Sequence, residues 1–176
     1  MRTVLLTASA AALLVAAPAK AQDQSGSRWY GNIGYGNVSA ESSDVDFNAL
    51  NARVGTRFTP YVGAEGELGI GLGEQEVAPG VDARLNYDAA AYVVGFVPVT
   101  DRFEVLGRVG YGVTEMELEG PAGGTVSEDG DSLNYGLGAQ YFFDEANGVR
   151  ADWTRRDFQD DGGEADAWTI NYVRRF

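Results

Sequence analysis

Polar and apolar residues trade places at nearly every step along much of this chain, and the alternation falls into eight separate segments. In residues 168–176, Trp168, Ile170, Tyr172 and Phe176 share one parity, while Thr169, Asn171 and Arg175 take the other. A period of two is a strand's signature, because successive side chains leave a pleated sheet on opposite faces. The other seven segments cover residues 28–38, 47–58, 61–72, 87–98, 102–113, 133–143 and 149–156. Short turns follow the second, fourth and sixth: Thr59-Pro60, Thr100-Asp101 and residues 144–148. The remaining connections are longer and acidic. Segments of about 10–12 residues suit tilted strands that cross a bilayer, and the long-short rhythm suits an outer-membrane barrel. The expected fold is all-β, an eight-stranded antiparallel up-and-down transmembrane β-barrel.

A soluble sandwich would also alternate. It would not explain the contrast between faces. The apolar parity is rich in aromatics and aliphatics: Trp29, Ile33 and Tyr35; Leu50, Val54 and Phe58; Val62, Leu68 and Ile70; Phe103, Val105 and Val109; Leu133, Tyr135 and Leu137. In residues 87–98 the corresponding set is Ala90, Tyr92, Val94 and Phe96, expected to face the membrane. The opposite parity carries charges and Gly34, Gly36, Gly55, Gly110, Gly112, Gly136 and Gly138, as a crowded barrel interior requires.

Residues 1–21 have the layout of a secretory signal peptide: Arg2, a mostly apolar stretch over 4–17, and Ala19-Lys20-Ala21 as the cleavage site. The apolar run is shorter than the roughly 20 residues a membrane anchor needs. Residues 22–176 are then the barrel domain. Without Arg2 and Lys20, the balance of basic over acidic residues is 11 − 26 = −15. Such acidity excludes nucleic acid as a partner, since phosphate binding needs a basic face. The chain has no cysteine and no histidine, which removes disulfides and the usual general base of a catalytic dyad or triad.

The opening W-Y-G-N-I-G-Y-G-N over residues 29–37, the eight segments and the aromatic Phe176 resemble the small outer-membrane barrels of the OmpA-like and opacity-porin type. The resemblance implies lipid and lipopolysaccharide as surroundings. It also implies periplasmic chaperones and the barrel-assembly machinery as partners, the latter reading Ile170, Tyr172 and Phe176 as an assembly signal. Arg174 departs from that pattern, where an apolar residue is usual.

Interior charges carry the most chemistry. Arg53, Glu67, Arg108 and Asp152 fall at similar depth, and Arg57, Glu65, Glu104 and Arg150 fall nearer the turns. A turn centred on Thr59-Pro60 sets Arg53 opposite Glu67. Charges kept from bulk water are expected to pair. The third long connection holds Glu115, Glu117, Glu119, Glu128, Asp129 and Asp131, and the fourth holds Asp157, Asp160, Asp161 and Glu164. Neither has EF-hand spacing, so no metal site, cofactor or catalytic residue is expected. Mobile tips are expected at Gly123-Gly124 and Gly162-Gly163. A structural or surface-interaction barrel with no enzymatic activity follows, with a surface ligand the sequence does not name. A small low-conductance porin is the alternative, and a lipid-modifying enzyme is disfavoured by the missing histidine.

Overall fold

Each alternating segment forms a strand in the computed structural model, which describes residues 28–40, 46–78, 81–119, 125–159 and 163–176. The strands are β1 (Arg28–Ala40), β2 (Asp46–Arg57), β3 (Val62–Leu72), β4 (Glu74–Ala78), β5 (Val81–Pro98), β6 (Phe103–Glu119), β7 (Thr125–Phe142), β8 (Asn147–Phe158) and β9 (Glu164–Arg175). All pairings are antiparallel; successive strands pair, except that β3 pairs with β5 past the short β4. β1 meets β9 to close the ring, with Ile33 beside Tyr172 and Ala40 beside Ala165. β4 is not a ninth wall strand. The chain breaks at Gly73, whose φ of 90° suits glycine, and β4 then pairs with the start of β5. Eight strands make the barrel. The proposed leader, residues 1–21, lies outside the described residues, as do Gly123-Gly124, Gly162, Asp160 and Asp161.

Parity decides what each side chain meets. Ile33, Leu68, Val109, Leu137 and Ile170 face outward and are exposed, as a lipid-facing surface requires. Aromatic residues mark its two margins. Phe103 and Tyr111 stand eight residues apart on β6, as do Trp168 and Phe176 at the end of the chain. Eight residues span about 26 Å of strand, close to the height of a barrel's apolar band once tilt is allowed for. The seven interior glycines all have side chain or backbone where a Cβ would stand. At Gly55 the obstacle is the Tyr30 ring, 2.4 Å from that point, so the glycine makes room for the aromatic.

One face assignment is corrected. On β5 the set Ala90, Tyr92, Val94 and Phe96 turns inward, with Tyr92, Val94 and Phe96 only 3%, 0% and 2% exposed. Tyr87, Val93 and Val97 take the membrane face instead. Both parities of this strand are apolar, so its own pattern cannot choose. Its neighbours do, because Glu65 on β3 pairs with Tyr92, and Arg108 on β6 pairs with Val94. Had β5 slipped by one residue, Asp88 would have met lipid.

Strand lengths also exceed expectation. β5, β6 and β7 have 18, 17 and 18 residues, well beyond the roughly 9–11 that cross a bilayer. The third long connection is therefore mostly paired strand: Glu115 lies beside Asp129 and Glu117 beside Ser127. The outward parity stops being apolar where the membrane stops, at Glu115 on β6, but the backbone ladder continues in water.

The short turns share one device. Thr59 Oγ1 accepts from the backbone amides of Tyr61 and Val62 (3.2 and 3.0 Å), and Thr100 Oγ1 from those of Arg102 and Phe103 (3.3 and 3.0 Å). In the third turn Asp144 Oδ1 accepts from Ala146 and Asn147 (2.8 and 2.7 Å). The Asn147 side chain and these two amides hold the Asp144 carboxyl below its ordinary pKa. A depressed carboxyl stabilises the fold above its unfolded pKa and loses that contribution as pH falls through the folded value. Asp144→Asn is expected to flatten the acid limb of a stability-pH profile measured by denaturant unfolding. An unchanged limb would show that the turn carboxylate does not contribute.

Candidate functional site

The inward faces bring together side chains from all eight wall strands. Because Arg53 pairs with Glu67 in the β2–β3 register, their side chains meet directly, with Arg53 Nε donating to Glu67 Oε2. Arg53 also donates from Nη1 to Asp152 Oδ2 (2.7 Å) and from Nη2 to Thr169 Oγ1 (3.1 Å). Arg108 Nη1 reaches Glu67 Oε2 at 2.9 Å, and its Nε donates to Thr154 Oγ1 at 3.1 Å. Arg150 bridges Glu65, through Nη1 and through Nη2 at 3.1 Å, and Asp152, through Nε at 2.8 Å. Two tyrosines finish the set: Tyr30 donates to Glu65 Oε1 (2.7 Å), and Tyr92 to Glu67 Oε1 (3.4 Å).

A further pair completes this central cluster. Arg156 contacts Asp88 Oδ2 and lies 3.5 Å from Glu67 Oε1. Four arginines, Arg53, Arg108, Arg150 and Arg156, thus face four carboxylates, Glu65, Glu67, Asp88 and Asp152. The cluster is neutral and buried.

Arg57 and Glu104, expected beside Glu65 and Arg150, form a second cluster at the turn end. Arg57 grips Glu104 with both terminal nitrogens (2.9 and 2.6 Å). Gln140 Nε2 (2.5 Å) and Arg175 Nη2 (2.9 Å) donate to the same carboxylate. An apolar layer of Tyr30, Val94, Phe96, Leu106, Phe142 and Val173 lies between the clusters and touches both. The Arg57 guanidinium stacks 3.8 Å over Phe96, and that of Arg175 sits 3.5 Å over Phe142. At the loop end Phe47, Ala49 and Leu85 pack with Val38 and Met116 as a second apolar layer. An eight-stranded barrel is just wide enough to be filled this way.

A closed barrel with an apolar outer face and a polar filled interior is the form in which strands span a membrane. A family model described as outer membrane protein beta-barrel domain matches residues 7–176. The chain belongs to that family. As a member of it, the protein resides in the outer membrane of a Gram-negative bacterium.

Solved barrels share the architecture. Ail, the attachment invasion locus protein of Yersinia pestis, in complex with the heparin analogue sucrose octasulfate, is 19% identical with a TM-score of 0.64. That match covers 85% of this chain and 99% of Ail. Neisserial surface protein A is 10% identical over 85% of this chain and 95% of its own, with a TM-score of 0.63. The N-terminal barrel domain of Pseudomonas aeruginosa OprF is 12% identical over 86% and 100%, with a TM-score of 0.61. At such identities the likeness is one of fold. No curated protein sequence matches this chain.

Within this outer-membrane barrel, all eight charged residues named from the sequence face the lumen, divided six and two between the clusters. Asp88, Arg156 and Arg175 were not singled out. Arg175 already had the inward parity in the sequence pattern. Asp88 did not stand out because it shares its parity with Ala90, Tyr92, Val94 and Phe96, the set the sequence pattern assigns to the membrane face. Ile170, Tyr172 and Phe176 form one outward stripe on the lipid side. Glu164 and Asp166, flanking the fourth connection, are held by Arg155 at 2.8 and 2.9 Å.

Proposed function

We propose that this protein is a non-enzymatic outer-membrane barrel with a sealed lumen, serving a structural or surface-interaction role through its acidic outer end. The observation that carries this is the neutral four-by-four charge cluster held between two apolar layers. An ion entering from either end must cross apolar side chains and then break ion pairs that are already matched. The extended β5–β7 wall carries Glu115 and Glu117, both accepting from Asn86 Nδ2 (3.1 and 3.0 Å), so part of the displayed surface is braced rather than loose. The whole chain carries a net charge of −13, and an outer end bearing Glu115, Glu117, Asp157 and Glu164 is ill suited to a polyanion such as the heparin analogue bound to Ail. A cationic or metal-bridged partner fits its sign better. A role without catalysis accords with a chain that lacks both histidine and cysteine. The stripe of Ile170, Tyr172 and Phe176 is the surface we assign to the assembly machinery, with chaperones delivering the chain after its leader is removed.

Planar-bilayer recording tests the seal. The purified wild-type barrel is expected to give no stable channels, and Glu67→Ala to raise open probability or shorten the life of the folded state. Large, long-lived wild-type openings would overturn the sealed-lumen role and assign a small porin instead.

A further inference from the structure

Just beneath the apolar layer at the loop end, the lumen keeps a small cavity lined by Asn51, Glu67, Asp88, Arg108, Arg156 and Thr169, with Leu85 and Ala49 above. It leaves about 20 Å³ for the centre of a water molecule. One ordered water needs roughly 10–15 Å³ by that measure, together with two to four polar partners. Two of the lining residues have the partners to offer. Arg156 Nε and Asn51 Oδ1 are buried without a hydrogen-bond partner in the protein, and each residue is only 7% exposed. One is a donor and the other an acceptor, and neither finds a partner within the protein.

We infer that this cavity is a binding site for one structural water that bridges β2 to β8 across the lumen. The water accepts from Arg156 Nε–H and donates to Asn51 Oδ1. Its second hydrogen goes to a carboxylate of the lining, Glu67 or Asp88. That makes three hydrogen bonds, the usual number for a buried water. Orphaned buried polar atoms are costly, so the site favours occupancy. A larger occupant does not fit the volume, and the mixed charges of the lining (two guanidiniums, two carboxylates) favour a dipole over an ion of either sign. Leu85, Ala49 and Phe47 stand between the site and the loop end, so exchange with bulk is slow. The site ties the head of the charge cluster to the wall opposite it.

The test is magnetisation transfer from water to the Arg156 Nε–H in the folded full chain, by NMR in lipid nanodiscs. Wild type should show cross-relaxation of the sign given by a long-lived bound water. The Arg53 Nε–H, which donates directly to Glu67, should show none and serves as the internal control. Asn51→Leu should abolish the Arg156 signal or shorten the water's residence at least tenfold. Replacing chloride in the buffer by sulfate should change nothing. Absence of transfer in wild type overturns the site by itself, whether or not the variant folds. Transfer that survives Asn51→Leu unaltered, or that follows the buffer anion, overturns it equally.

Discussion

Replacing Glu67 with alanine is expected to destabilise the folded barrel by about 3–5 kcal/mol, the range for breaking a buried pair by removing one partner. The effect should fall toward the upper end, because this carboxylate serves three guanidiniums. Arg53 donates to it directly, Arg108 lies at 2.9 Å and Arg156 at 3.5 Å, with Tyr92 adding a hydroxyl at 3.4 Å. Equilibrium unfolding in denaturant, followed by the fluorescence of the wall tryptophans, measures the loss. Arg53→Met on top of Glu67→Ala should recover part of it, since the second change removes one stranded cation. Recovery cannot be complete, because Asp152 then loses its 2.7 Å contact with Arg53 and keeps Arg150. Additive losses for the two substitutions would mean that Arg53 and Glu67 do not act as a unit.

Leu137→Arg should cost about 2–4 kcal/mol, the range for a cation on the lipid face near the bilayer midplane. Leu137 is 62% exposed, and on a water-soluble protein the same change would be neutral or would improve solubility. The sign of the effect therefore tests the membrane setting directly. Tyr141→Arg on the same strand, nearer the turn end, should cost only about 0–1 kcal/mol of depth-dependent penalty. Folded fractions on unheated gels, scored after refolding into vesicles across a urea series, give both values. Equal costs at the two positions would argue against a graded lipid environment.

Strand existence was legible wherever the two parities differed in kind. Residues 47–58 put Arg53 and Asn51 against Leu50 and Val54, and the structure places the faces accordingly. The Arg53–Glu67 juxtaposition was legible too, because a tight turn at Thr59-Pro60 fixes the register of both strands. β5 was not, because alanines and valines fill both of its faces and only the charged faces of β3 and β6 decide its rotation. The paired stretch beyond residue 113 was hidden for another reason. Outside the membrane the outward face can be polar, so at Glu115, Glu117 and Glu119 the parity that is apolar from Phe103 to Val113 turns acidic, although Met116 and Leu118 keep the alternation and the backbone ladder runs on. The division of the lumen charges was also out of reach: Arg150 joins the central cluster because its long side chain reaches Glu65 across the barrel, a distance no strand count supplies.

The uneven height of the wall has a kinetic consequence. The tallest strands, β5, β6 and β7, are joined by hairpins whose partners are near in sequence, so their pairing closes short loops and can run ahead of the rest. The seam where β1 meets β9 joins the most distant partners, Ile33 with Tyr172, across a shorter register. Its loop-closure entropy is met only when both edges are presented together. The rate-limiting event of insertion is therefore the zipping of that low side, while the tall side already stands as a template. A change that weakens contacts high on β6 and β7, already made when the seam zips, should slow folding with little effect on unfolding, whereas seam contacts completed only after that event should mainly speed unfolding when weakened.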